Sequence, residues 1–571
     1  MTDPQDLSDS REAGESIWEQ EFDRRGLVGK AIAATVGAAF LGGPAAEALA
    51  SRGAIASPSG LARSGKAKTT MYVASSGAYQ GFNPDKPATI ASGPSLQNVI
   101  ACYDSLTDIP IPADYAAAQK LGKKGYPAVP KLAKSWTVSS DRTVYRLHLR
   151  PNVRSSRGNR FTANDVVWSL SKAMDGKFVA AFLLFLCGIA KPDQLKVVNS
   201  TTLDIHLTAA PPPYFMQILG LPWVPIFDST EAKKHATSSD PFAQDWLNKN
   251  MAGFGPYKLQ STISGKRSVL VVNPNYWGKK PQITKITQDG IDDSGSRLQL
   301  LLTGVADYAE ELTPLQLDQV ARSSQAAVTN FTSTRVAFLA MNNNKPPFNT
   351  PALRQAIARA IPYNDIIKTV YRGRAKRWKT LITPWFQGAT DQYWKYETNL
   401  AAARAGLASV KGMQVTLSYV QGFGAGQQIA ILVQKGLNAA GLNCQLEGLL
   451  RAVADQRKVQ GGIDFFVDDS DSPAVPSPLY NLQLYFTSTA FQNTLSHYHN
   501  AGIDAAAKSL TKNPNLGQQT HIVNLVQKVL MRDLPFIPIA YTGTNGAHAK
   551  SLSGLRSHEI GLPYWQDFHF S

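Results

Sequence analysis

From residue 69 onward, short blocks of alternating apolar and polar positions are interleaved with longer blocks of helical period. "TTMYVASS" (69–76), "TVYRLHLR" (143–150) and "TLDIHLT" (202–208) have period two, which predicts half-buried strands. The third is followed closely by the turn-forming "APPPY". "TANDVVWSLSKAM" (162–174) opens on Thr162 as an N-cap and places Val166, Val167 and Leu170 at helical spacing. "TPALRQAIARAI" (350–361) and "GQQIAILVQKGLNAAG" (426–441) predict amphipathic helices, the second closed by Gly441. Strands "MQVTLSYV" (413–420) and "NCQLEGLL" (443–450) flank that second helix. This strand–helix–strand order implies a parallel α/β segment. No internal repeat is visible.

Length and composition add limits to this pattern. A chain of 571 residues, 43% hydrophobic and 18% charged, buries a large core and corresponds to roughly three or four domain-sized units. Its net charge is +16. The first 50 residues hold four Lys or Arg against nine Asp or Glu, so the remainder is more basic still. The basic residues are dispersed, with no basic helix or RNA-binding signature, so nucleic acid is not the expected partner. Cys102, Cys187 and Cys444 are too far apart for a zinc or redox pair. Cys102 and Cys187 lie in apolar runs that predict small buried thiols.

The N-terminus has its own pattern. Arg24 and Arg25 precede a mildly apolar, Ala- and Gly-rich run ending at Ala48-Leu49-Ala50. This resembles a twin-arginine export signal over residues 1–50, cut near Ala50 or at a second small-residue site near Ala56. A linker is expected over 51–68. "GLARSGKA" within it has Ala67 where a phosphate loop needs Ser or Thr, and no strand precedes it. Later in the chain no apolar run reaches membrane-spanning length.

Motifs for catalysis are missing: there is no HExxH, no GxSxG and no GxGxxG after a strand. No enzyme, cofactor or metal is expected. His497 and His499 would share a face in a strand, but have no third ligand nearby. The conspicuous charge cluster is "DFFVDDSDSP" (464–473), with "IDFFV" as a strand and the following aspartates in a turn. A calcium loop needs Gly at its sixth position and a distal Glu, and neither is present. Cleft carboxylates or a solvated loop remain. A basic stretch, "YRGRAKRWK" (371–379), would favour an anionic or zwitterionic ligand if it lined a cleft.

Several stretches, in order, look like one family. They are "YVASSGAYQGFNP" (72–84), "CYDSLT" (102–107), the segment 126–170 with its Leu-Ala, Ser-Trp, Phe-Thr-Ala and Asp-Val pattern, "GFGPYKL" (253–259), "VAFLAMNNNKPPFNTPALRQAIARAI" (336–361) and "MRDLPFIPIAY" (531–541). Over about residues 70 to 550 the chain resembles the family 5 extracellular solute-binding proteins of ABC importers, the dipeptide- and oligopeptide-binding proteins. The resemblance implies an α/β fold of two lobes that close on a ligand, with an extra domain inserted in the first lobe. Lobe I would comprise 69–107, 208–335 and 538–571, the insert 108–207, and lobe II 336–537. It implies an exported periplasmic monomer that binds a small polar solute, such as a peptide or amino-acid-derived compound, and delivers it to permease subunits. An opine, a sugar or a metal chelate is the alternative ligand, and a secreted hydrolase the alternative class. Ligand contacts are expected at Ser75, Ser76, Gly77 and Tyr79, at Trp385 and Phe386, and at Tyr419 and Gln421. Asp468, Asp469 and Asp471 compete for one ligand-facing role. Their segment is shorter than the family's and lacks its tryptophan.

Overall fold

The computed structural model describes residues 68–571, apart from 87, 88, 90, 91, 113, 177, 178, 381, 422–424, 491, 514 and 559. The expected export signal and most of the linker lie outside the described residues.

Two large sheets organise the chain. The first has seven strands in the order Ala326–Phe331, Thr544–Ala549, Tyr308–Glu310, Thr70–Ser75, Lys285–Gly290, Arg267–Val272, Tyr257–Ile263. Within it, Thr70–Ser75 runs parallel to both Lys285–Gly290 and Tyr308–Glu310. The second has six strands in the order Lys376–Arg377, Phe536–Tyr541, Val336–Met341, Phe465–Asp471, Gln414–Val420, Asn443–Leu449. A four-stranded antiparallel sheet is built from Ala133–Val138, Val144–Leu149, Thr202–His206 and Leu195–Asn199. The chain passes between the large sheets after Phe331 and again after Tyr541. The lobe boundary expected at residue 537 therefore falls inside a strand. Pairing of Phe536–Tyr541 with Val336–Met341 keeps that whole strand in the six-stranded sheet.

Local signals account for the helices. In Ala163–Asp175, the Asp165 carboxylate accepts from the Thr162 backbone N–H at 2.7 Å, satisfying a donor at the helix entry. Thr350 caps Pro351–Ala360 by accepting from Leu353 N–H. Gly426–Ala440 ends at Gly441, whose φ of +106° suits a residue without Cβ. Strands Gln414–Val420 and Asn443–Leu449 are parallel on either side of that helix in sequence, as the spacing requires.

The aspartate segment differs from its expected form. The strand does not stop at Val467 but runs through Asp471. Pairing with Val336–Met341 is Phe338 with Asp468 and then Val336 with Asp471, so one extra residue is accommodated on the aspartate strand. The other neighbour, Phe536–Tyr541, has a matching irregularity beside Ala337 and Phe338. A bulge of this kind bends a strand and shifts the faces of its side chains.

All three cysteines are buried and free. Burial pushes each thiol above its ordinary pKa, which suits packing rather than reactivity. No helix among the described residues is long and apolar enough to cross a membrane.

Candidate functional site

The two large sheets present the carboxyl ends of their parallel strands to each other. A cavity of about 240 Å³ lies there. Ser76, Asp292 and Glu311 reach it from the segments just beyond Thr70–Ser75, Lys285–Gly290 and Tyr308–Glu310. Asp469, Ala425 and Arg335 reach it from the six-stranded side. Ligands of open α/β sheets characteristically sit outside the carboxyl ends of strands, where loops diverge.

The aspartates separate by partner. Asp468 is enclosed and forms an ion pair with Lys458 of the helix Arg451–Gln460 at 2.6 Å. Asp471 accepts from the Tyr485 hydroxyl at 2.7 Å. The extra residue of the bulge brings these two to one side, where burial first and repulsion from Asp468 second push the Asp471 carboxyl up to about 6. Asp469 alone of the three lines the cavity. Its carboxylate accepts from the Ala425 N–H at the entry of helix Gly426–Ala440. Burial raises its pKa, with the Arg335 guanidinium opposing.

Arg335 ties the walls together. Its Nε donates to the Asp469 backbone carbonyl at 2.9 Å, and its Nη1 lies 3.6 Å from Glu311 of the seven-stranded side. Arg297, almost fully buried, donates to the backbone oxygens of Ile291, Asp292, Glu310 and Glu311 at 2.5–2.9 Å. A planar fork with several donors is suited to holding two loop ends in register. Across the mouth, Asp318 of helix Pro314–Ala321 pairs with Arg372 and Arg374 of the opposite lobe, the latter at 2.8 Å.

Behind the first-lobe wall lies Glu310, which accepts from Gln97 Nε2 at 2.5 Å. Burial pushes its carboxyl up to about 7. An unfolded chain releases that proton near pH ~4.3. Between those values the folded protein binds more protons than the unfolded one, so this group makes stability fall as pH rises. Asp471 acts in the same direction up to about pH 6. Melting temperature followed from pH 4.5 to 7 is expected to decline less steeply in Glu310→Gln than in the parent. Identical slopes would remove Glu310 as the source.

The other expected contacts are distributed differently. Ser76 lines the cavity. Ser75 is buried in the strand end, and Tyr79 stacks on Phe82 with ring centroids 5.0 Å apart. Gly77 lies in the same loop without lining the cavity, and a Cβ there would meet nothing within 4 Å. Trp385 and Phe386 are core rather than pocket wall. Trp385 is 0% exposed and meets the edges of Tyr126 at 5.0 Å and Phe386 at 4.7 Å. Trp385→Phe is expected to cost roughly 1–3 kcal/mol of stability and to leave solute affinity unchanged, as denaturation and titration calorimetry would show. Tyr419 is buried against Gly448, where a Cβ would sit 3.1 Å from its hydroxyl. Gln421 is exposed and uses its backbone N–H to bond Leu449. His497 ends a short helix at φ +50°, so the two histidines do not lie along a strand. Among the described residues no group of three His, Cys, Asp or Glu is placed to hold a metal.

Sequence reasoning passed over Asp292, Arg297, Glu311, Arg335 and Asn545. Asp292, Glu311, Arg335 and Asn545 lie at or next to strand ends, whereas Arg297 lies on the helix Ser294–Leu302. Tyr371 and Arg374, from the basic stretch, do reach the cavity.

Comparisons with known proteins agree with this architecture. The family description "Bacterial extracellular solute-binding proteins, family 5 Middle" matches residues 128–493. A probable D,D-dipeptide-binding periplasmic protein of Escherichia coli K12 is 27% identical over 430 residues, covering 74% of this chain and 81% of the relative. The Helicobacter pylori periplasmic binding protein DppA, solved with the peptide STSA, superposes with a TM-score of 0.74 at 21% identity, over 88% of this chain and 98% of that one. AgaA of A. tumefaciens R10, solved with agropinic acid, gives 0.73 at 20% identity, over 88% and 99%. The two structures share the two-lobed fold with this chain.

Proposed function

The chain belongs to the bacterial extracellular solute-binding proteins of family 5, and from that premise we propose that it captures a compact, amino-acid-derived solute between its lobes and hands it to the permease of an ABC importer. The observation that carries the ligand class is Asp469. It is an enclosed carboxylate in the interlobe cavity, where its side chain accepts from the Ala425 N–H and shares the field of the Arg335 guanidinium. A cationic group on the solute would complete it, because a charge pair in a poorly hydrated cleft is stronger than the same pair in water. Related proteins carry dipeptides, and a structural neighbour holds agropinic acid. The small polar cavity favours a dipeptide-sized or opine-like solute over an extended peptide. Lobe closure is the mechanism, and no bond is made or broken. The protein works as an exported periplasmic monomer whose residues 1–50 direct it there.

The test is a thermal-shift screen of purified mature protein with dipeptides, opines, sugars and metal chelates. A binder gains stability as RT ln(1 + [L]/Kd), so a true solute raises the melting temperature with its concentration. A shift with amino-acid-derived compounds supports the reading. Shifts confined to sugars or chelates would replace the ligand class, and turnover of any compound would replace the mechanism.

A further inference from the structure

The second-lobe wall of the cavity contains a feature that Asp469 leaves unexplained. Tyr371 and Arg374 both line it. The Tyr371 hydroxyl is enclosed and has no hydrogen-bond partner among the described residues, and the same holds for Arg374 Nε. Tyr371 is 8% exposed, and burial raises its pKa well above the ordinary phenol value, so it remains a donor. Two unpaired donors beside one cavity are unfavourable unless something accepts from them.

Local backbone structure holds both residues in place. A π-helical turn, Ile366–Val370, delivers the chain to Tyr371. Such turns are uncommon and often mark functional positions. Arg372 and Gly373 then follow with φ of +52° and +75°. A left-handed arginine is unfavourable, and Arg372 persists in it with its own guanidinium and that of Arg374 bonded to Asp318 of the opposite lobe. Arg374, which lines the cavity, gives its Nη2 to Asp318, and its Nε has no partner among the described residues. The remaining guanidiniums of the wall are committed elsewhere. Arg297 holds four backbone oxygens, and Arg335 holds Glu311 and the Asp469 carbonyl.

We propose that Tyr371 Oη–H and Arg374 Nε–H form a donor subsite that a carboxylate of the solute accepts from, completed when Asp318 of the other lobe bonds Arg374 on closure. The solute is then a compact zwitterion, with its ammonium group at Asp469 and its carboxylate at Tyr371 and Arg374. On the opposite wall, Asn545 Oδ1 is likewise unpaired among the described residues and accepts from an N–H or O–H of the solute. This subsite rests on the solute-binding reading above. It adds a requirement for negative charge that a cation-binding cleft alone does not have.

The experiment uses matched probes on the mature protein: Ala-Ala and its C-terminal amide, and octopine and its dimethyl ester. Binding is read by thermal shift and titration calorimetry. At least one free acid is expected to bind ten-fold or more tightly than its masked form. Tyr371→Phe and Arg374→Gln should each lower that affinity about ten-fold and shrink the preference for the acid. Tyr371→Phe changes one oxygen and should keep the ligand-free melting temperature within a degree or two, separating lost contact from lost fold. Acid and masked forms binding alike would overturn the subsite and leave the solute-binding reading standing. So would free-acid affinity unchanged in both variants. No shift with any probe would overturn the zwitterion assignment, and the wider solute screen then decides whether the solute-binding reading stands.

Discussion

Asp469→Asn is expected to keep the fold and to lose about 2–4 kcal/mol of affinity for a cationic solute, or roughly 30- to 1000-fold in Kd. The asymmetry between fold and binding follows from the carboxylate's surroundings. Burial already raises its pKa, so its charge is held at a cost in the solute-free protein. Asparagine keeps an oxygen that can accept from Ala425 N–H and removes the buried charge, so the ligand-free melting temperature should stay level or rise. Asp468→Asn and Asp471→Asn should behave in the opposite way. Asp468 loses its ion pair with Lys458, and Asp471 weakens its bond from Tyr485, so stability changes while affinity is kept. Calorimetric titration with a bound cationic solute, alongside melting curves of the three variants, reads the difference directly. Equal affinity losses in all three would show that no single aspartate faces the solute.

The second large effect is structural. Lys172 is 0% exposed, yet it is a lysine in the middle of the helix Ala163–Asp175. Its ammonium bonds the Asp85 carboxylate and Asn83 Oδ1, the latter at 2.7 Å, and lies 4.4 Å from the centroid of the Phe227 ring. The helix stands among the chain that carries the four-stranded sheet, whereas Asn83 and Asp85 follow the first strand of the seven-stranded sheet. This one side chain therefore joins the two units. Lys172→Ala leaves the Asp85 carboxylate enclosed without its cation and is expected to cost about 3–5 kcal/mol. Urea denaturation of the ligand-free protein measures it. Removing both charges, as Lys172→Met with Asp85→Asn, should recover much of that loss, because the penalty comes from the stranded charge rather than from the absent pair. A double variant as unstable as Lys172→Ala would contradict this account.

The two variants mark where reading by sequence succeeds and where it stops. Helices capped by Thr162 and Thr350 and closed by Gly441, and the parallel pair around Gly426–Ala440, are set by neighbours within a few residues. Hydrophobic period and capping chemistry are local, so they are visible in the string of residues. The order of family-like stretches is visible in the same way, and it carries the two-lobed fold with it. The core role of Lys172 is not. A lysine in an amphipathic helix ordinarily faces water, and only its approach to Asn83 and Asp85 makes it interior.

For the site, sequence by itself brought Asp468, Asp469, Asp471, Ser76 and the 371–379 stretch into consideration. It did not separate the wall of a cleft from a core. Trp385 and Phe386 have the same chemistry in either place, and packing against Tyr126 decided for the core. Choosing among the aspartates required the bulge opposite Val336–Met341. One extra residue reverses the side on which the next side chain falls, and that shift depends on strands distant in sequence. The cavity itself draws on residues from Ser76 to Asn545. Each strand end is local, but their meeting is not: the two sheets face each other only after the chain has crossed between them twice.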